Sequence, residues 1–279
     1  MKSIIEIIQN RRSYRSYKPI KLPEEILKKI NPILQECPPG PYGNEAIFLL
    51  VHKSHALDQK IKLGTYGFIS GAQHFIVGTM QTSAAGFVDF GYRMEWIILQ
   101  LTALGLGTCW LGGSLKRSEF AKLIGLPENE VIPAVTPVGF PTEKQSVRDR
   151  LIRLGASSKK RKPWKEIFFD EDFSKPLTPE NAGRYATALE MVRLAPSASN
   201  RQPWRIVKNG KFYHFYLQRT DRYYRLSPAI DLQKIDMGIA MCHFDLTAGA
   251  LNLPGSWQTA NPQISKSENR EYLLSWKLE

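Results

Sequence analysis

Two short stretches of this chain carry side chains suited to holding a small anionic molecule. Arg11-Arg12-Ser13-Tyr14-Arg15 follows a helical run. Guanidinium groups grip phosphate bidentately, and a neighbouring hydroxyl adds a donor. The same arginines also suit a solvated helix end, where positive charge meets the negative end of the helix dipole. The second stretch, Ala195-Pro196-Ser197-Ala198-Ser199-Asn200-Arg201-Gln202-Pro203-Trp204, packs hydroxyl and amide groups into a loop stiffened by two prolines. A pre-organised polar loop of this kind can read the hydrogen-bonding edge of a heterocycle, although its composition also fits an ordinary connection. Gly64-Thr65-Tyr66-Gly67-Phe68 is a further candidate wall: glycine admits close backbone approach and Tyr66 can stack or donate, or the segment is simply a turn.

Other chemistries lack their residues. The five histidines include no H-x-x-x-H pair, and His52 and His55 have no companion ligands, so no metal site is expected. Cys37, Cys109 and Cys242 show no paired spacing, which excludes a disulfide framework and suggests a reducing compartment. No His or Asp is spaced to activate Cys109 as a nucleophile, and Asp89 and Glu95 do not read as an acid/base pair. No catalytic side chain is assigned.

The composition frames these motifs. The chain has 279 residues, 43% of them hydrophobic and 23% charged, a globular mixture. Its net charge of +12 suits nucleic acid, an anionic membrane surface or a phosphorylated small molecule. The bases are clustered: five with no acid in residues 11–21, nine against Asp149 in 144–165, and seven against Asp221 in 201–225. No segment approaches the roughly 18 to 20 apolar residues of a membrane span. Glu6 interrupts the N-terminal apolar run, so no secretory signal is read and a cytoplasmic location is expected.

The elements that must position the motifs follow from periodicity. Ser3 and Glu6 form a capping box for a helix whose Ile4, Ile5, Ile7 and Ile8 make an apolar face. Pro23-Glu24-Glu25 opens a second helix. Residues 46–52 and 74–80 read as strands, 91–104 as a buried helix, 108–111 as a strand, 118–126 as a short helix and 131–139 as a strand. Residues 141–178 connect two halves, and Thr178-Pro179-Glu180 then caps a helix. Asn209-Gly210 predicts a type I′ hairpin, and residues 236–251 a second buried helix.

The two buried helices resemble each other. At a constant spacing of 147 residues, Gly91 falls on Gly238, Met94 on Met241, Leu99 on Leu246, Ala103 on Ala250, Leu104 on Leu251, Leu106 on Leu253 and Trp110 on Trp257. Each half also reads helix, Pro-rich loop, strand, buried helix and Trp-ended segment, which predicts an internal duplication. The expected organisation is residues 1–140 as one half, 141–177 as a basic connection and 178–279 as the other half.

Together, R-R-S-x-R and A-P-S-x-x-N-x-Q-P-W resemble the two FMN-binding signatures of the nitroreductase family. The resemblance implies an α+β fold, three-layer α/β/α, with FMN in a cleft between two subunits or halves. Arg11, Arg12, Ser13 and Arg15 would hold its phosphate, and Pro196, Ser197, Ala198, Asn200 and Gln202 would lie over its ring. Gly105 to Gly113 is similar to the segment facing flavin N5, through Gly112 and Gly113. Lys160 to Glu166 is similar to the basic R-K-P stretch, through Arg161. At the usual place of the ring loop this chain has Cys37-Pro-Pro-Gly-Pro-Tyr-Gly-Asn44, and its second half has no R-R-S-x-R. These complementary losses resemble the two-repeat, Thermotoga-type nitroreductases: a single-chain pseudo-dimer keeping one FMN site, monomeric or self-associating further.

The implied activity passes two electrons from NAD(P)H, a transient co-substrate, through FMN to a small electron-poor acceptor such as a nitroaromatic or quinone. Arg15, or else Arg201 or Arg205, would supply positive charge near the flavin N1 and C2 carbonyl. Two other classes compete with this reading. One is a basic nucleic-acid binder using the aromatics and bases of residues 211–225. The other is a flavoprotein that stores FMN without turnover. Neither a membrane nor a metal partner is expected.

Overall fold

The computed structural model describes residues 2–58, 63–65, 67–113, 115–142, 160–220, 229–264 and 269–279. Its first elements are α1 (Ile4–Asn10), α2 (Glu24–Gln35), β1 (Ile47–His52), α3 (Lys53–Asp58), β2 (His74–Gln81) and α4 (Ala84–Ala103). β3 (Gly107–Thr108), α5 (Arg117–Ile124), β4 (Glu130–Val131) and β5 (Val135–Gly139) complete the first half. Next come α6 (Trp164–Ile167), β6 (Phe168–Asp170), α7 (Pro179–Ala182), α8 (Ala186–Leu194), β7 (Trp204–Asn209) and β8 (Phe212–Gln218). α9 (Leu232–Ala250), β9 (Gly255–Gln258) and β10 (Arg270–Leu278) close the chain.

The duplicated glycines explain the centre. Helices α4 and α9 pack along each other so closely that a Cβ on Gly91 would collide with the backbone carbonyl of Ile235. A Cβ on Gly238 would likewise strike the carbonyl of Val88. Val88 and Ile235 obey the same 147-residue spacing as the two glycines, so the contact is reciprocal. Reciprocity of this kind marks a two-fold relation, here between the halves of one chain. Both helices begin earlier than their periodicity indicates, because polar caps define their starts. Ser83 accepts from the Gly86 N–H, and Asp231 from the Lys234 N–H.

A sheet flanks this helix pair on each side. The first runs β1-β2-β5-β3, antiparallel, with β4 also on β2. The second repeats that path as β7-β8-β10-β9. β6 adds to it in parallel, pairing Phe168 with Ile206. Residues 141–177, expected only to connect the halves, therefore contribute a strand to the second sheet. The inner face of the first sheet (Ile76, Met80, Val138) packs into the core with Met94, Ile97 and Ile98 of α4. Its outer face (Phe75, Val77, Val135) packs on Phe120 of α5, giving the α/β/α layering.

Other local expectations hold or shift for identifiable reasons. Ser3 and Glu6 make the capping box, and Thr178 caps α7 by accepting from the Asn181 N–H. Pro133 lies between β4 and β5, where one strand was expected. The hairpin turn is Gly210-Lys211 rather than Asn209-Gly210, because Asn209 pairs with Phe212. Only Gly210 takes a positive φ, of 53°, which is the sign pattern of type II′ and not type I′. Tyr213, Phe215 and Tyr216, read as aromatics for nucleic acid, are buried in the core, and residues 221–225 of that stretch lie outside the described residues. No helix among the described residues is long and apolar enough to cross a membrane.

Two outcomes test this packing. Gly238→Ala forces a methyl into backbone that cannot yield, and should destabilise by on the order of 3 kcal/mol in urea unfolding; an unchanged midpoint would dissolve the glycine crossing. Burial pushes His214 down to about 4. His74 is also pushed down to about 4, by burial and then by the neighbouring His52, Lys21 and His55. Protons then bind the unfolded chain before the folded one. Stability should be full above pH 6.5 and fall toward about pH 4, by up to roughly 3 kcal/mol per histidine, with a shallower slope in His214→Gln.

Candidate functional site

A cleft of about 410 Å³ opens between the halves. Arg11, Ser13 and Arg15 line one side with the 109–113 strand end; Arg161 and the 196–200 loop line another. Leu232, Ile235, Asp236 and Ile239, from the first turns of α9, complete the lining with Phe68 and Ala134.

The arginine segment is placed by β3. α1 buries Ile7 and Ile8 against α4, α8 and α9, so Arg11, its C-cap, emerges where the halves meet. The chain then extends, with Ser13 bridging Thr108 in parallel and the Tyr14 N–H donating to the Thr108 carbonyl at 2.8 Å. Side chains alternate along extended backbone. Arg11, Ser13 and Arg15 therefore face the cleft, while Arg12 is exposed and Tyr14 packs on the outer cluster. Arg12 was expected among the phosphate ligands; the strand period places it outside the cleft wall. The chain leaves β3 directly into Cys109-Trp110-Leu111-Gly112-Gly113, so arginines and glycines share one strand as anchor. The Gly112 carbonyl accepts from Arg117, which also donates to Ile132 and Pro133 carbonyls at 2.9 and 3.1 Å. A Cβ on Gly112 would press on Leu232, whereas one on Gly113 would stand in open space.

The opposite wall is stitched to the basic stretch. Ser199, Asn200 and Gln202 hold φ of 47°, 56° and 50° without being glycine, at roughly 1 kcal/mol or more each. Side-chain bonds hold Asn200 and Gln202 there. The Gln202 side chain accepts from the Lys162 N–H at 2.8 Å, and its backbone N–H donates to Ser197 Oγ at 2.9 Å. Asn200 donates to the Lys160 carbonyl at 2.8 Å and accepts from Arg161 at 3.1 Å. Gln202 is thus the buried brace of the loop and does not itself line the cleft. Arg205 is buried too, donating to the Gln202 and Trp204 carbonyls, and Arg201 is exposed; neither lines the cleft, whereas Arg15 does.

Electrostatically the cleft is cationic. Burial pulls the Arg161 guanidinium down to about 10, and the charges of Arg11 and then Arg193 add to the shift. Two guanidiniums repelling each other in a partly dry cleft favour an anion between them. Phe68, from the Gly64–Phe68 candidate, reaches the lining, while Tyr66 lies outside the described residues.

No sequence motif marks Asp236. It is buried on α9 and lines the cleft; its Oδ1 accepts from the Ala198 N–H at 2.9 Å, and among the described residues its Oδ2 has no hydrogen-bond partner. Burial pushes this carboxyl well above the usual range, the Ala198 bond opposing and Asp231 adding to the shift. Its counterpart 147 residues earlier, Asp89, uses both oxygens on the corresponding loop. It accepts from the Tyr42 N–H at 2.9 Å and from the Asn44 N–H and side-chain amide at 2.6 and 2.8 Å. There the Tyr42 hydroxyl crosses to the Leu273 carbonyl at 2.7 Å, spanning the two halves. A buried acid recurring at the duplication spacing was the signal that could have marked the residue.

The family profile described as "Putative TM nitroreductase" matches residues 3–248. A crystal structure of a nitroreductase from Thermotoga maritima superposes with a TM-score of 0.64 at 22% identity, covering 99% of this chain and 94% of that one. An Archaeoglobus fulgidus protein named as an NADH dehydrogenase/NAD(P)H nitroreductase is 25% identical over 176 residues, 59% of this chain and 100% of its own. A Methanothermobacter thermautotrophicus protein of the same name is 27% identical over 155 residues, 52% of this chain and 81% of its own. These relatives align with little more than half of the chain. With its whole-length fold match and profile match, the chain belongs to the TM nitroreductase family, as a nitroreductase-like oxidoreductase of two related halves.

Proposed function

We propose that the cleft binds one FMN per chain and that the protein passes two electrons from NAD(P)H to a small electron-poor acceptor such as a nitroaromatic or quinone. The observation that carries this reading is the convergence on one cleft of Arg11 and Arg15 from the first half, Arg161 from the connection and the 196–200 loop from the second. The residues present fit the group. The Arg11 and Arg161 guanidiniums repel each other in the cleft, Gly113 fronts open space, and Asp236 Oδ2 has no hydrogen-bond partner among the described residues.

FMN, when bound, supplies the two-electron exchange itself, so the protein needs no nucleophile and no acid/base pair. Arg11, Ser13 and Arg161 would hold the phosphate. The 196–200 loop, fixed by Gln202 and Asp236, would hold the ring, with Gly112 and Gly113 lending backbone groups. Arg15 keeps positive charge in the cleft, where a reduced ring gains negative charge. The chain has no G-x-G-x-x-G fingerprint, so the nicotinamide would bind transiently in the same cleft.

The first test is the absorption spectrum of the purified protein, followed by NADH and NADPH oxidation with a quinone or nitroaromatic. Flavin bands and turnover are expected; a preparation that takes up no FMN from excess contradicts the assignment. Arg161→Ala should weaken FMN binding by about 1.5–3 kcal/mol through loss of a charged hydrogen bond, and Arg12→Ala by less than about 0.5 kcal/mol. Equal losses would mean that the strand alternation misplaces the phosphate grip. Asp236→Asn, which keeps an oxygen for the Ala198 N–H, should bind FMN within about threefold of wild type, while Asp236→Leu frees that N–H and should cost about tenfold. Equal weakening by both would show that Asp236 works as an anion.

A further inference from the structure

Glu95 and His243 are fully buried, one on each central helix, and no catalytic step above uses them. Glu95 Oε2 accepts from the Trp110 indole N–H at 2.6 Å. Its Oε1 meets His243 Nε2 at 3.0 Å and stands 3.6 Å from Arg11 Nε. His243 Nδ1 lies 2.9 Å from the Met191 carbonyl on α8. Arg11 and Trp110 both line the cleft. One carboxylate therefore orients two wall residues of the first half and is itself held by a residue of the second.

The proton count in this cluster follows from hydrogen-bond chemistry. A carbonyl oxygen only accepts, so His243 Nδ1 carries a proton toward Met191. The Nε2–Oε1 contact then needs another proton, on either the imidazole or the carboxyl. Imidazolium with carboxylate, or imidazole with carboxylic acid, the pair sums to zero. A plain Arg11–Glu95 ion pair would cancel the guanidinium charge that an anion in the cleft requires. With His243 attached, Glu95 orients Arg11 and leaves the local sum at +1. The other half provides a contrast: Trp257 donates to Asp245 at 2.9 Å, but the cross-half partner there is the Tyr92 hydroxyl at 2.8 Å.

We infer that Glu95 and His243 form a proton-sharing, net-uncharged pair across the two halves that positions Arg11 and Trp110 without cancelling the charge Arg11 presents to the bound phosphate. The inference rests on the proposed FMN site for its ligand, but not for its proton count. Both are positioning residues.

The count is read directly on wild-type protein labelled with 15N-histidine, the His243 signals being assigned by their loss in His243→Gln. A protonated Nδ1 is expected; an unprotonated Nδ1, with the Nε2–H donating to an ionised Glu95, overturns the inference whether or not FMN binds. FMN titration supplies the functional reading. His243→Gln leaves Glu95 ionised against Arg11 and should weaken FMN about tenfold. Glu95→Gln should lose a few-fold at most, through looser orientation of Arg11. Tenfold tighter FMN binding in Glu95→Gln, the result of releasing an ordinary ion pair, overturns the inference, as does unaltered binding in a folded His243→Gln. If wild-type protein binds no FMN, the proposed function fails while the 15N result still decides the pair.

Discussion

The arrangement of the two halves depends on the backbone-to-backbone approach of α4 and α9 at Gly91 and Gly238. No side chain intervenes, so each helix sits at a fixed depth and register on the other. That register brings the first turns of α9, with Leu232, Ile235, Asp236 and Ile239, against the segment leaving β3 in the first half. It also places His243 within a hydrogen bond of Glu95, and Tyr92 within one of Asp245. The cleft is consequently a product of helix packing, and its two walls come from different halves. A single methyl at the crossing would shift one wall relative to the other.

The halves have diverged in complementary ways. In the first, Asp89 is saturated by the Tyr42 and Asn44 groups, and the Tyr42 hydroxyl ties that loop to β10. In the second, Asp236 keeps the Ala198 N–H as its one hydrogen-bond partner among the described residues, and Asn200 turns instead to Lys160 and Arg161. The connection between the halves has become part of the site, since Arg161 lines the cleft and β6 joins the second sheet. The buried Asp236 carboxyl and the guanidiniums of Arg11, Arg15 and Arg161 thus line one cleft.

Much of this architecture could be read from residue order. The Ser3/Glu6 box, the recurring glycines and the proline-stiffened loop each state a local rule that tertiary structure does not override. Arg12 stands outside the cleft lining because extended backbone sends alternate side chains to opposite faces, a distinction that a motif of neighbouring arginines does not carry. β6 was missed because its three residues, buried at one sheet edge, are too few to show a period. The hairpin slipped by one residue because Asn-Gly and Gly-Lys overlap, and cross-strand register chooses between them. Asp236 and the Glu95–His243 pair carry no local signature; their roles arise from contacts between residues 38 to 148 positions apart.

The central claim is that two related halves build one cofactor site and not two. Calorimetric titration of flavin-free protein with FMN tests it most directly. One FMN per chain is the predicted stoichiometry, with the 40–44 loop and Tyr42 taking no part. Two equivalent FMN per chain, or one per pair of chains, would contradict the account.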